Sequence, residues 1–123
     1  MGDIADVTMR GVEYALRGLQ VRADVRANNI ANAETPLYQA QVVSFADQLA
    51  GALSEDDPRD AIGDLEGPAV ARSDNAPDAF GNTVDLVEEM TEMTKDNLLT
   101  DAMVSAYNYK VAALRTAIRG QSA

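Results

Sequence analysis

Apolar residues recur at alternating steps of four and three near both ends of the chain, and the middle lacks this order. The first row runs Ala5, Met9, Val12, Leu16, Leu19, Ala23, Arg26, Ile30, with Arg26 its one charged member. The second runs Leu86, Met90, Met93, Asn97, Thr100, Val104, Tyr107, Val111, Leu114, Ile118 without a slip. Such spacing puts side chains on one stripe of a helix and permits coiled-coil packing. Asn28, Asn29 and Asn32 tolerate left-handed geometry and Pro36 disfavours helix at Thr35, so the first helix should stop there. Asp85 with Glu88 offers a capping-box-like start for the second, Asn82 is a competing N-cap, and Gly120 is expected to end it.

The middle reads differently. Ser44 to Leu53 can form a short helix with Phe45, Leu49 and Leu53 on one face. Residues 54–81 gather Pro58, Gly63, Gly67, Pro68, Asn75 and Pro77 with little periodicity, which predicts an irregular, mobile loop. The expected fold is therefore all-α: two long terminal helices forming an antiparallel coiled-coil-like pair, joined by a short helix and an irregular acidic loop. Residues 1–36 would be the N-terminal core helix and its Asn-rich turn, 37–81 the short helix and loop, and 82–123 the C-terminal core helix. Val7, Ala15, Val21 and Val25 lie off the first stripe, and Val87, Leu98, Leu99 and Met103 off the second. A lone pair would leave them in water, so further helices should cover them.

Charge sharpens this division. The 123 residues carry 20 acids and 10 bases, a formal charge of −10. Residues 33–82 hold ten of those acids and only Arg59 and Arg72 as bases, while both ends are near balance. Ends that associate and a middle that stays solvated would look like this. The deficit of basic residues argues against nucleic acid, which needs a concentrated cationic face.

Candidate chemistry is sparse. With no Cys and no His, thiol nucleophiles, disulfides and imidazole bases or ligands are excluded. The acidic run Glu55, Asp56, Asp57, Asp60, Asp64, Glu66 lacks the alternation and the Gly placement of a calcium loop, and reads as a solvated loop. No phosphate-cradling Gly loop and no nucleophile with a base is present. Neither catalysis nor a cofactor is expected. The N-terminus lacks the basic and apolar regions of a cleavable secretory signal, and no apolar run nears the roughly 20 residues of a membrane span. Asn97 and Thr100 leave two readings open: polar residues facing solvent, or a register device within a buried seam.

The segment Ala27-Asn28-Asn29-Ile30-Ala31-Asn32-Ala33-Glu34-Thr35-Pro36-Leu37-Tyr38 resembles the N-terminal signature of the flagellar rod, hook and hook-associated proteins, approximately A-N-N-I-A-N-x-x-T-P-G-Y. Leu37 stands at the family's Gly, and Gln39 where a basic residue is common. Leu reaches positive φ only at a cost, so the turn at Leu37 needs explaining. The stretch from Gly81 to Met90, with Asn82, Val84, Leu86, Glu89 and Met90, resembles the start of the C-terminal helix in a proximal-rod subunit. The chain is also too short for the outer domains of hook and distal-rod proteins.

The resemblance implies an axial structural protein whose terminal helices form the core of a hollow tube, exported by the flagellar type III apparatus to the periplasmic rod. It implies as partners copies of the chain, other rod subunits, the rod-base adaptor, the membrane-ring protein and the export gate, with neither nucleic acid nor direct membrane insertion. Phe45-Ala46-Asp47-Gln48-Leu49 is similar to the short export-gate element Phe-x-x-x-apolar, and a plain helix face packing Phe45 and Leu49 fits the same residues. The assembly surface would be Met9, Val12, Leu16, Leu19 and Ile30 on the first helix. On the second it would be Leu86, Met90, Met93, Val104, Tyr107, Val111, Leu114 and Ile118. The alternative is a cytoplasmic acidic coiled-coil adaptor or secretion chaperone, which would account for the charge and the seams but not for the Asn-rich turn.

Overall fold

The computed structural model describes the backbone of residues 2–121 and the side chains of residues 6–120. Ala5, at the head of the first row, falls outside the described side chains. Two long helices dominate: α1 (Gly2–Ala31) and, at the other end of the chain, α4 (Leu86–Gln121). They run antiparallel, with Arg22 meeting Asp96, Asn29 meeting Glu89, and the Tyr107 hydroxyl donating to Glu13 Oε1 at 3.5 Å.

Their ends follow the local chemistry. After α1, the Asn32 side-chain amide returns to the Asn28 carbonyl at 2.8 Å, and Thr35 Oγ1 donates to Asn32 Oδ1 at 3.1 Å, closing the Asn-rich turn. Asp85 caps α4, its Oδ1 accepting the Glu88 backbone N–H at 3.0 Å. Asn82 instead uses its Oδ1 to accept from the Val84 N–H. Gly120 does not end the helix, which continues through it to Gln121.

The all-α expectation is corrected between the helices. Residues 41–44 and 69–72 form an antiparallel pair of short strands, β1 (Gln41–Ser44) and β2 (Ala69–Arg72), with Gln41 opposite Arg72 and Ser44 opposite Ala69. Between them lie α2 (Ala46–Leu53) and α3 (Pro58–Gly63). The segment expected to be an irregular loop thus carries α3 and β2. Pro58, read as a breaker, occupies the first turn of α3, where its missing N–H costs nothing, and Asp57 caps that turn through the Asp60 N–H.

This middle region folds back on α1 and supplies the core. Tyr14, Ala15, Leu19, Val25, Val43, Phe45, Ala52 and Ile62 are buried together. Ala15 and Val25, which seemed to need further helices, are covered by the chain's own middle segment. Phe45, just before α2, and Leu49 and Ala52 on it face inward, and Leu53 is exposed. The Tyr14 hydroxyl ties α1 to the far side of α3 by donating to the Glu66 carbonyl at 3.1 Å.

One α1 glycine, Gly18, makes the close approach possible. The Phe45 ring lies so near Gly18 that a Cβ there would stand 2.4 to 2.7 Å from three ring atoms, and Leu49 Cδ1 comes within 3.9 Å of the corresponding point on Gly11. Arg22 lies over the Phe45 ring, its guanidinium carbon 4.6 Å from the ring centroid. Gly18→Ala should therefore lower stability by about 1–3 kcal/mol, overpacking outweighing the helix-propensity gain. Gly51, with open space around it, should give the opposite sign on conversion to Ala, a gain of up to about 1 kcal/mol. Thermal denaturation of the two variants checks both signs.

A polar clasp and an open helix face

The shortest side-chain contacts between α1 and α4 are ionic. Arg22 and Arg26, one turn apart on α1, face Glu89 and Asp96, two turns apart on α4. Arg26 Nε donates to Asp96 Oδ2 at 2.9 Å and its Nη1 to Glu89 Oε2 at 3.2 Å. Arg22 Nη1 donates to Asp96 Oδ1 at 3.2 Å, and its Nη2 to the Val43 carbonyl of β1 at the same distance. Two positive and two negative charges balance, and all four side chains are largely withdrawn from solvent. Burial alone would lower the Arg26 pKa. The hydrogen bond and charge of Asp96, with those of Glu89, outweigh it, so the pKa is raised above the ordinary guanidinium value.

Asn29 extends the clasp and is fully buried at 0% exposure. Its Nδ2 donates to the Gln41 carbonyl at 2.8 Å and to Glu89 Oε1 at 3.0 Å. Its Oδ1 accepts from the Gln41 N–H at 3.0 Å and from the Tyr38 hydroxyl at 3.4 Å. The amide thus uses two donors and two acceptors, so its burial leaves no polar group unmet. Asn82, also buried, bridges the turns: its Nδ2 donates to the Asn32 and Thr35 carbonyls, each at 2.8 Å. Thr83 completes the join, its Oγ1 accepting the Ala40 N–H at 2.8 Å.

This arrangement fixes register. A one-turn slip of α4 in one direction would put Met93 and Thr100 where Glu89 and Asp96 stand, orphaning both arginines. A slip the other way would offer Asp85 and Glu92 instead, but would tear Asn82 from Asn32 and Thr35. Buried ions add little net stability and are best attested as devices of specificity.

The structure distributes the motif residues unevenly. Asn29, Asn82 and Glu89 meet in or beside the clasp, with Tyr38 reaching Asn29. Asn28, Asn32 and Thr35 close the turn, while Ala31 and Pro36 are exposed and Ile30 and Val84 half-buried. Leu37 adopts φ 63°, the only positive φ outside glycine among the described residues. Its N–H donates to the Phe80 carbonyl at 3.0 Å, and the neighbouring Gly81 (φ 76°) leaves room for its side chain.

The apolar rows fare differently from the clasp. Leu19 is buried in the core; Met9, Val12, Leu16 and Ile30 are half-buried. On α4, Met93, Tyr107 and Val111 are half-buried, whereas Leu86, Met90, Val104, Leu114 and Ile118 are exposed, as are Val87, Leu98 and Leu99 beside them. Asn97 is exposed too and Thr100 half-buried, so within the subunit the register is set by the clasp rather than by Asn97. Reading for apolar stripes missed Arg22, Glu89 and Asp96 as packing residues. The one signal was Arg26, the charged break in the first row.

Among the described residues no three carboxylates stand close enough to hold a metal ion, and no helix is long and apolar enough to cross a membrane. What the chain presents is a register-locked helix pair with a long apolar face uncovered, the equipment of a subunit that packs with others.

No family model matches the chain. Individual relatives do. The flagellar basal body rod protein FlgB of Bacillus subtilis is 32% identical over 121 residues, spanning 92% of this chain and 94% of the relative. FlgB of Cereibacter sphaeroides is 32% identical over 110 residues, 83% and 86% of the two chains. FlgB of Escherichia coli is 27% identical over 135 residues, 97% and 98%. The chain belongs to the FlgB family of flagellar basal body rod proteins.

Proposed function

We propose that this chain is a structural subunit of the proximal rod of the flagellar basal body, part of the axial shaft that turns with the motor. Full-length similarity to flagellar rod proteins carries the reading. The uncovered apolar face of α4 supplies its physical content, because an exposed row of this length belongs at an interface. In this reading Leu86, Met90, Val104, Leu114 and Ile118 pack against copies of the chain and other rod subunits, and the rod-base adaptor and the membrane-ring protein are neighbours.

Export by the flagellar type III apparatus follows from the same reading, with Phe45 and Leu49 as the export-gate element. In the folded chain both side chains are engaged on α1, over Gly18 and Gly11, so the gate would have to meet them before folding. The cytoplasmic adaptor or chaperone reading predicts a different location, and fractionation separates the two. An epitope-tagged chain should copurify with detergent-extracted basal bodies. A tagged chain that supports motility yet stays wholly in the cytoplasmic pool would overturn the assignment.

A further inference from the structure

The hydrogen bonds along β1 fix which way each backbone group of β2 points. Gln41 exchanges both of its backbone groups with the Asn29 side chain, and the Val43 carbonyl accepts from Arg22. Both residues therefore turn toward α1. Ala40, Val42 and Ser44 turn the other way, and the Ser73 N–H donates to the Ala40 carbonyl at 2.8 Å. Val42 stands opposite Ala71 and Ser44 opposite Ala69, so Ala69 and Ala71 take up the bonds between the strands. Val70 and Arg72 face outward, and their N–H and C=O groups meet no partner among the described residues.

The side chains beside this open ladder are distinctive. Val70 lies opposite Val43 on the face that covers the core, yet Val43 is 7% exposed and Val70 47%. Arg72, opposite Gln41, shares that face. It makes no ion pair among the described residues, although the middle of the chain is rich in acids. Sheet edges are ordinarily protected by a proline, a bulge or a covering element. Here Pro68 stops just before the strand, and all four residues of β2 are exposed.

We propose that the outer edge of β2 receives an extended segment of another protein as a third strand. Running antiparallel, the segment places a carboxylate opposite Arg72 and, two residues later, an apolar side chain opposite Val70. Main-chain hydrogen bonds at Val70 and Arg72 supply the affinity, and the ion pair and the apolar pair select the sequence. A second copy of β2 does not fit. In the antiparallel registers that bring outward groups together, Arg72 falls opposite another Arg72, opposite Val70, or opposite Pro68, which has no N–H to give. This contact is independent of the rod reading, because it is measured on the purified chain and its failure leaves that reading untouched.

The test uses the full chain and two synthetic peptides, Thr-Val-Glu-Thr-Val-Thr and Thr-Val-Lys-Thr-Val-Thr, with amide hydrogen exchange followed by NMR. The Glu peptide should slow exchange at Val70 and Arg72 by at least about tenfold, and the Lys peptide should bind at least about tenfold more weakly. Val70→Pro removes only an outward N–H, which an edge strand tolerates. Its melting temperature should stay near that of the parent while affinity for the Glu peptide falls at least about tenfold. Arg72→Glu leaves the backbone unchanged and should reverse the preference in favour of the Lys peptide. No slowing by the Glu peptide would overturn the proposal, as would slowing that survives Val70→Pro or a preference that Arg72→Glu leaves unaltered. Protection of Val70 and Arg72 that rises with protein concentration alone would also overturn it, by making a second copy the occupant.

Discussion

Arg26→Ala should destabilise the isolated subunit by about 3 kcal/mol, the lower end for breaking a buried ion pair because the guanidinium keeps some solvent contact. The loss has a definite origin. Glu89 and Asp96 would remain in place with half their positive partners gone, and Glu89 would still be held to Asn29 in a site only 5% exposed. Arg26→Met combined with Glu89→Gln should recover at least half of it. That pair removes one charge of each sign, leaves Arg22 with Asp96, and lets Gln keep an acceptor for Asn29. Arg17→Ala, on the exposed side of α1, should stay within about 0.5 kcal/mol. Urea denaturation of the purified subunits measures all three. An Arg26→Ala loss below about 1 kcal/mol would mean that the clasp is solvated and does not set register.

Leu114→Asp should do the reverse, sparing the subunit and destroying the assembly. In the subunit Leu114 is exposed, so the change should move stability by no more than about 0.5 kcal/mol. In the packing proposed for the rod the same position is covered, and an unpaired carboxylate there would cost several kcal/mol at every copy. Swimming in soft agar should be abolished while the soluble protein melts normally. Normal motility would mean that this part of α4 stays in water.

These two variants divide along the line between what the sequence disclosed and what it concealed. The long helices and their antiparallel sense were readable because four-three periodicity over thirty residues is a strong local signal, reinforced by Asp85 and by the Asn-rich turn. The faces on which they meet were not. Glu89 stood out only as a motif residue and Asp96 not at all, because their burial depends on Arg26 and Arg22, 63 to 74 residues away. The α1 row is largely buried or half-buried, but much of the α4 row is the surface left over once that pairing is made. The short strands escaped notice because four residues such as Gln41-Val42-Val43-Ser44 carry too little pattern. Their pairing with Ala69–Arg72 is a tertiary matter. Pro58 misled in the same way, since a proline that interrupts one helix opens another. The consequence is concrete: residues 56–66 are not a free linker, because they bring Ile62 into the core.

Asn29 and Asn82 were visible as members of a family signature, but their work was not. Each is a buried amide whose partners come from separate segments, and only the fold brings those partners together. Gly18 lowers the intrinsic helix propensity of α1. Its function is to admit the Phe45 ring, and the helix-propensity penalty is offset by that packing.

The central claim is that polar groups lock the two helices together inside one subunit while the apolar face of α4 binds its neighbours. A single thiol at Val104, half-way along that face and exposed in the subunit, tests it directly in a chain that has no other cysteine. Val104→Cys protein should react readily with a maleimide reagent when soluble and resist it in purified, functional basal bodies. Equal reactivity in the two states would contradict the account.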